Sequence, residues 1–425
     1  MTSRPATIAK RRSRSSARTP FHALRQFARA HELELPALVF LTHWIVVAGS
    51  AAVAMAFAKR IDTVPAVGWY LPERDGLGEL FIQPLRNWDG FWYSLIATEG
   101  YGYHTASTAF WPLYPWSMRV LADALSIGVE TAGLILANLA FFLALVVFQR
   151  LVNREWGSDV ARRALWLLAF FPTAFYFSAV YSESFFLLFC LLAYYWATGG
   201  KWWQAGLAGV LAALTRNVGV LLVIPLGIIF LKQHGVDPRR WPRTWLAVGL
   251  PGVGPLLYMI VLWRTYHDPL KTLEAQKGWA REQAMPWTTF RMAFDQLDLG
   301  WLRTLSESPT WSTLTSHAVR FGFAEYESLD VAFTLLAIPL LVYCLLKLPI
   351  EYAIFPVMLF LIPLFSPSTI HPLMSMPRFL IVMFPLFIGL ALLTRRKMSF
   401  RLTLVPSIVL LALLTIQFST WYWVA

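Results

Sequence analysis

Two carboxylates and two guanidiniums stand in this sequence where charge is costly. Asp89 lies in RNWDGFWYSLIATEGYGY, Glu183 in FPTAFYFSAVYSESFF, Arg216 in AALTRNVGVLL and Arg378 in HPLMSMPRFLIVMFPLF. An ionised side chain among so many aromatic and aliphatic neighbours needs a partner or a wet cavity. Desolvation makes the Asp89 carboxylate a better base toward a hydroxyl; the competing reading is a helix-start aspartate that accepts backbone N–H bonds. Glu183 reads as a cavity residue or as a cap shared with Ser182. Arg216 sits at a break in a helical pair, where half-helix ends and a guanidinium together suit a phosphate. Its alternative is an arginine that snorkels to the interface or neutralises Glu183. Arg378 has a similar place at the end of an apolar run. Together these groups offer a carboxylate for a hydroxyl and guanidiniums for a phosphate, which is what transfer from a sugar phosphate requires.

Other chemistries leave no trace. His104, His267 and His371 show no paired spacing and no HExxH, so a histidine metal site is not expected. Asp89 by itself suits a divalent-metal ligand as well as a base, so a metal stays open while no cofactor is called for. There is no Walker-type loop, GxGxxG fingerprint or GxSxG elbow, which argues against an ATP-driven pump, a cytoplasmic nucleotide-sugar enzyme and a serine hydrolase. The two cysteines, Cys190 and Cys344, lie inside apolar runs and do not make a disulfide framework.

The elements that must position these residues are membrane helices. The 425-residue chain is 57% hydrophobic and 14% charged, against about 25% charged in soluble domains. Its formal charge of +12 is concentrated in a tail and short loops, a topology signal rather than a nucleic-acid surface. Residues 1–35 carry Arg4, Lys10, Arg11, Arg12, Arg14, Arg18, Arg25 and Arg29 against Glu32 and Glu34, and read as a disordered cytoplasmic tail. Residues 36–58 read as a retained signal anchor, since both the basic region and the apolar run are too long for a cleaved signal. Residues 36–425 form one integral membrane domain on this reading.

Hydropathy marks spans near 36–58, 131–151, 162–179, 182–198, 245–265, 327–347, 350–366, 377–394 and 401–423, with a broken pair in 202–232 hinged at Thr215, Arg216 and Asn217. Segment 110–128 is apolar yet carries Arg119 and Asp123. If it crossed the membrane, the clusters around Arg150, Arg154, Arg162, Arg163, Arg239, Arg240 and Arg243 would face outward. Laid along the outer interface, it leaves them inside. The expectation is an all-α polytopic protein of about eleven spans, N-terminus inside and C-terminus outside, in the inner (plasma) membrane. Two long outward loops, 59–130 and 266–326, remain, and Trp88–Glu99 and Pro112–Leu125 read as short surface helices.

WDGFWYSLIATEGYG, AFWPLYP, FFPTAFYFSAVYSESFFLL, GLAGVLAALTRNVG, DPLKTLEAQKGWAREQAMPW and MPRFLIVMFPLF follow one another between about residues 86 and 390. In order and spacing this set resembles the bacterial relatives of the PIG-V family, the mannosyltransferases that add the second mannose to GPI anchors. Trp111 stands where a second Phe is the pattern. The resemblance implies a GT-C type membrane glycosyltransferase that uses a polyprenyl-phosphate sugar, with mannose as the sugar, and inverts the anomeric centre. It implies that Asp89 is catalytic, as the acid of the first outward loop. Arg216 and Arg378 then hold the donor phosphate, and Glu183, Tyr181, Trp88, Gln276 and Trp279 position sugar or acceptor. The partners are the donor, a lipid or glycan acceptor and membrane lipids, without nucleic acid. GPI itself is not carried over as acceptor. Two other readings stand beside this one: a transporter or flippase of a lipid-linked saccharide, which would show repeat symmetry that is absent here, and a scaffold supporting another membrane enzyme.

Overall fold

Charge position and proline position explain most of the helix boundaries. The computed structural model describes residues 32–57, 83–297 and 326–424. The basic tail as far as residue 31 and the stretches 58–82 and 298–325 of the two long loops lie outside the described residues. Every regular element among the described residues is helical, with one isolated antiparallel bridge between Arg281 and Ser368.

The first described helix is α1 (Glu34–Phe57), and the first long loop contains α2 (Asp89–Glu99) and α3 (Leu113–Leu125). These match the two surface helices expected from sequence. At 13 residues α3 is about 20 Å long, short of the ~30 Å hydrocarbon core. It buries Tyr114, Met118 and Ala122 on one face and exposes Val120 and Leu125. The loop is a packed cap: Tyr258 donates to the Thr108 carbonyl (2.8 Å), Tyr101 to that of Phe110 (2.7 Å) and Tyr114 to that of Gly133 (3.0 Å). Trp111 belongs to this cap, its ring 4.7 Å from that of Tyr258.

Among the described residues, six helices are long and apolar enough to cross a membrane, including α1, α4 (Val129–Trp156) and the two runs Asn217–His234 and Arg243–Tyr266. The others are the apolar part of α12 (Tyr326–Lys347) and α16 (Lys397–Ser419). The remaining apolar runs are built from shorter pieces. The run 162–179 is not one helix: α5 (Ser158–Ala169) stops before Pro172, whose ring cannot follow the helix, and a 3₁₀ turn (Ala174–Ser178) takes over. The run 377–394 is likewise split into α14 (Met376–Ile381) and α15 (Phe384–Leu393), with Pro385 in the first turn of the second piece.

The anticipated break near Thr215 is present. Helix α7 (Trp202–Thr215) ends there, Arg216 is extended (φ −151°, ψ 140°), and a 3₁₀ turn (Asn217–Leu222) leads into α8 (Val223–His234). The Asn217 side chain accepts from the Val218 N–H (2.8 Å), a local bond that competes with the helical ladder. Gly219 makes the tight return possible: a Cβ there would stand 2.5 Å from the Ala212 and Ala213 backbone.

Helix α6 (Glu183–Thr198) runs through the middle, against α4 and α7. Ten of its residues are buried, Glu183 among them. The far end of α6 is tied down by Tyr194 donating to the Glu351 carbonyl (2.7 Å) and by Gln233 donating to that of Ala197 (3.0 Å). Near it lie the Lys232–Glu351 pair (2.5 Å) and Arg154 over the Tyr195 ring. The basic clusters around Arg154, Arg162, Arg239 and Arg396 therefore fall in connections at the end of the bundle away from Glu183. Helix α1 packs beside α16, which returns the C-terminus to the Glu183 end, where Asn87 donates to the Phe418 carbonyl (2.9 Å).

Candidate active site

Several segments meet at that end around a cavity of about 380 Å³. Helix α2 contributes Asp89 from its first turn and Tyr93 one turn on; α6 contributes Glu183, also from a first turn. The break after α7 contributes Arg216. Helix α14 contributes Arg378, and the second long loop contributes Gln276, Trp279 and Arg281.

Neither carboxylate caps its own helix. Asp89 is instead ion-paired with Arg378, 289 positions away. Glu183 takes Arg216 on Oε1 at 2.5 Å, with the Arg378 Nε 3.6 Å from the same oxygen. So Arg378 bridges the two acids, and its other terminal nitrogen donates to the Ser375 hydroxyl at 3.1 Å. Phe379 packs its ring beneath both guanidiniums, 5.4 Å from that of Arg216 and 5.6 Å from that of Arg378. Glu183 is 1% exposed, yet its Oε2 makes no hydrogen bond among the described residues. A buried carboxylate oxygen left open beside a cavity is poised to accept from a bound hydroxyl.

Arginine neutralising Glu183 was one of the alternatives open for Arg216, and that contact is present. It does not remove Arg216 from the cavity, whose wall it forms. Tyr93 shares a hydrogen bond with Ser182 (2.8 Å); burial first, and then the nearby Glu183 charge, push its hydroxyl up, so it stays neutral.

The structure sorts the expected positioning residues. Gln276 and Trp279 line the cavity, and Trp279 meets the edges of Trp92 and Phe110. Tyr181 does not line it: the hydroxyl accepts the Asp89 backbone N–H (3.1 Å) and donates to the Asn87 carbonyl (3.1 Å), fixing the start of α2. Trp88 also stays outside the lining, packed on Trp421 and Trp423 with a left-handed φ of 59°. Its effect on the site runs through the backbone, since the reversal at Trp88 turns Asp89 inward. Sequence reasoning missed several lining residues, among them Ser375, Trp423 and Arg281. Arg281 lies in a loop, so nothing in its sequence neighbourhood marks it as half-buried at a cavity. No group of three or more His, Cys, Asp or Glu near enough to hold a metal occurs among the described residues.

Residues 38–236 match the family model described as Mannosyltransferase (PIG-V). Over this stretch the chain is similar to the PIG-V mannosyltransferases. The match takes in α1 to α8, and with them Asp89, Glu183 and Arg216; Arg281 and Arg378 lie beyond it. Two curated relatives are similar. The GPI mannosyltransferase 2 of Drosophila melanogaster is 31% identical over 185 residues, 39% of this chain and 39% of that protein. The GPI mannosyltransferase 2 of Drosophila pseudoobscura pseudoobscura is 27% identical over 290 residues, 55% of this chain and 62% of that protein. The similarity thus spans less than two thirds of the length of either PIG-V relative.

Proposed function

We propose that this cavity is a GT-C type glycosyl-transfer site, taking a polyprenyl-phosphate sugar and passing the sugar with inversion to a hydroxyl of a lipid or glycan acceptor. Kinship with the PIG-V proteins makes mannose the sugar to test. The observation that carries the reading is the mixed lining of the cavity. It combines three guanidiniums and two carboxylates with the apolar side chains of Leu359, Ile362, Pro363, Val382 and Met383. Ile362 is also 37% exposed on α13 (Ile350–Phe365), a helix surface that faces lipid in a membrane protein. A phosphate on an isoprenoid chain needs both features: fixed cations for the headgroup and an apolar exit for the chain.

The charges also suit the reaction. Arg216, Arg281 and Arg378 exceed Asp89 and Glu183 by one positive charge, which a phosphodiester monoanion neutralises. The acceptor oxygen attacks the anomeric carbon while the bond from that carbon to the phosphate oxygen breaks. The electron pair stays on the phosphate, which becomes a dianionic monoester. The hydroxyl proton goes to Asp89, so the total charge in the cavity is unchanged through the step. As charge develops on the phosphate, the Arg378 guanidinium shifts toward it, which frees the Asp89 carboxylate to take the hydroxyl proton. Glu183 holds Arg216 and Arg378 in place and offers Oε2 to a sugar hydroxyl. Gln276 and Trp279 complete the wall on the acceptor side.

The direct test uses purified full chain in liposomes, radiolabelled polyprenyl-phosphate mannose and a lipid extract from the host. Label moving into a new lipid or glycan is the expected result. Movement of intact donor across the bilayer without transfer would replace this reading with a flippase.

The orientation proposed is the site outward and the basic connections inward, in the plasma membrane. With the native Cys190 and Cys344 buried, single cysteines report the two sides. On intact cells a membrane-impermeant maleimide should label Thr288→Cys in the second outward loop and miss Arg239→Cys. The reverse pattern would invert the topology.

A further inference from the structure

Arg378 and Arg216 both have their charge answered within the protein. Arg378 is engaged by Asp89, Glu183 and Ser375, and Arg216 by Glu183. Arg281 is different. Its guanidinium lines the same cavity, yet its one hydrogen bond goes to a neutral acceptor, the Ser366 carbonyl at 2.9 Å. It forms no ion pair among the described residues. A guanidinium has five N–H donors, so one carbonyl leaves most of its capacity unused.

The segment that carries Arg281 is fastened in place. Its backbone N–H donates to the Gln276 carbonyl (3.2 Å), and the chain is zipped to the segment after α13 on both sides of it. Thr369 donates to the Ala280 carbonyl (2.8 Å), Glu282 to that of Pro367 (3.0 Å) and Ala284 to that of Phe365 (3.1 Å). Ala280 is held at φ 50°, a left-handed conformation that is unfavourable for alanine and sets the direction of the next side chain.

We infer that Arg281 is the donor-capturing residue of the cavity, a third guanidinium that binds the phosphate of the incoming polyprenyl-phosphate sugar before Arg378 is released from Asp89. The inference rests on the reading of the cavity as a polyprenyl-phosphate site. Burial, with the Arg378 charge nearby, lowers the Arg281 guanidinium to about 10, so it remains a cation at neutral pH in a field that an arriving anion relieves. The order of events follows from the pairing: the unpaired cation acts first, and the paired ones exchange partners only as the phosphate gains charge.

The test is binding rather than turnover. Full-length protein in nanodiscs is titrated with polyprenyl phosphate and, separately, with the neutral polyprenol of the same length. Wild type, Arg281→Gln and Arg281→Lys are compared, and thermal unfolding of each variant checks the fold. Wild type should prefer the phosphate. Arg281→Gln should lose about tenfold to a hundredfold in phosphate affinity, as for a lost bond to a charged group, with polyprenol binding unchanged. Arg281→Lys should recover part of the loss, since it restores the charge but not the two-pronged geometry. A role confined to bracing Ser366 would shift both ligands together. Equal phosphate affinity in wild type and Arg281→Gln would overturn the assignment while leaving the donor reading intact. A wild type that does not distinguish phosphate from alcohol would overturn both.

Discussion

Asp89→Asn lowers sugar transfer by about a hundredfold to ten-thousandfold, the range for loss of a positioned general base, and leaves phosphate binding at least as tight as in wild type. The two halves of this result come from the same geometry. Asparagine keeps the shape of the side chain and can still meet Arg378, so α2 and its bond from the Asp89 N–H to Tyr181 are kept. It cannot take the hydroxyl proton. Removing one negative charge raises the positive excess in the cavity, which strengthens attraction for a polyprenyl phosphate. Steady-state transfer and direct titration with polyprenyl phosphate measure the two quantities separately. Transfer at the wild-type rate would remove Asp89 as the base. A large fall in phosphate affinity would mean that the carboxylate orders the binding site rather than accepting a proton.

The second large effect is on stability. Arg378→Met destabilises the protein by about 3–5 kcal/mol, the cost of stripping the partner from a buried pair, and abolishes transfer. Among the described residues Arg378 is the one cation in contact with both acids; its side chain is 10% exposed, Asp89 12% and Glu183 1%. Without it Asp89 is left with no cation in contact, and Glu183 keeps only Arg216. The aromatic surroundings, with Tyr176 and Tyr181 rings 5.7 and 5.6 Å from the guanidinium carbon, supply little hydration in exchange. Adding Asp89→Asn to Arg378→Met should recover a measurable part of the lost stability, because it removes the stranded charge. Unfolding followed in the same detergent for the two single variants and the double variant gives the coupling. Additive losses would show that water reaches the pair and that its contribution to the fold is small.

Much of this protein was legible in one dimension. A chain so apolar, with its basic residues gathered into short connections, has to be a helical membrane protein, because only helices satisfy every backbone group in lipid when the pattern lacks the alternation of a barrel. The same logic exposed Asp89, Glu183, Arg216 and Arg378, since an ionised group inside an apolar run is visible without any knowledge of its neighbours. The hinge at Thr215 to Asn217 showed itself through the polar interruption. Runs 162–179 and 377–394 looked continuous because hydropathy averages across Pro172 and Pro385, while the backbone responds to each proline individually.

Only the tertiary structure decided the pairings. Asp89 with Arg378 is a contact across 289 positions, and nothing local distinguishes it from Asp89 with Arg216. Tertiary packing also separated Tyr181 and Trp88, which orient the start of α2, from Gln276 and Trp279, which line the cavity. Arg281 escaped notice for the opposite reason to Asp89: in WAREQ it stands next to Glu282 in a loop rather than inside an apolar run, and it becomes a half-buried cation at the cavity only when the second loop is zipped onto residues 364–369. Burial of a polar residue in a loop is a property of what the loop folds against, so sequence reports the charge and the fold reports its cost.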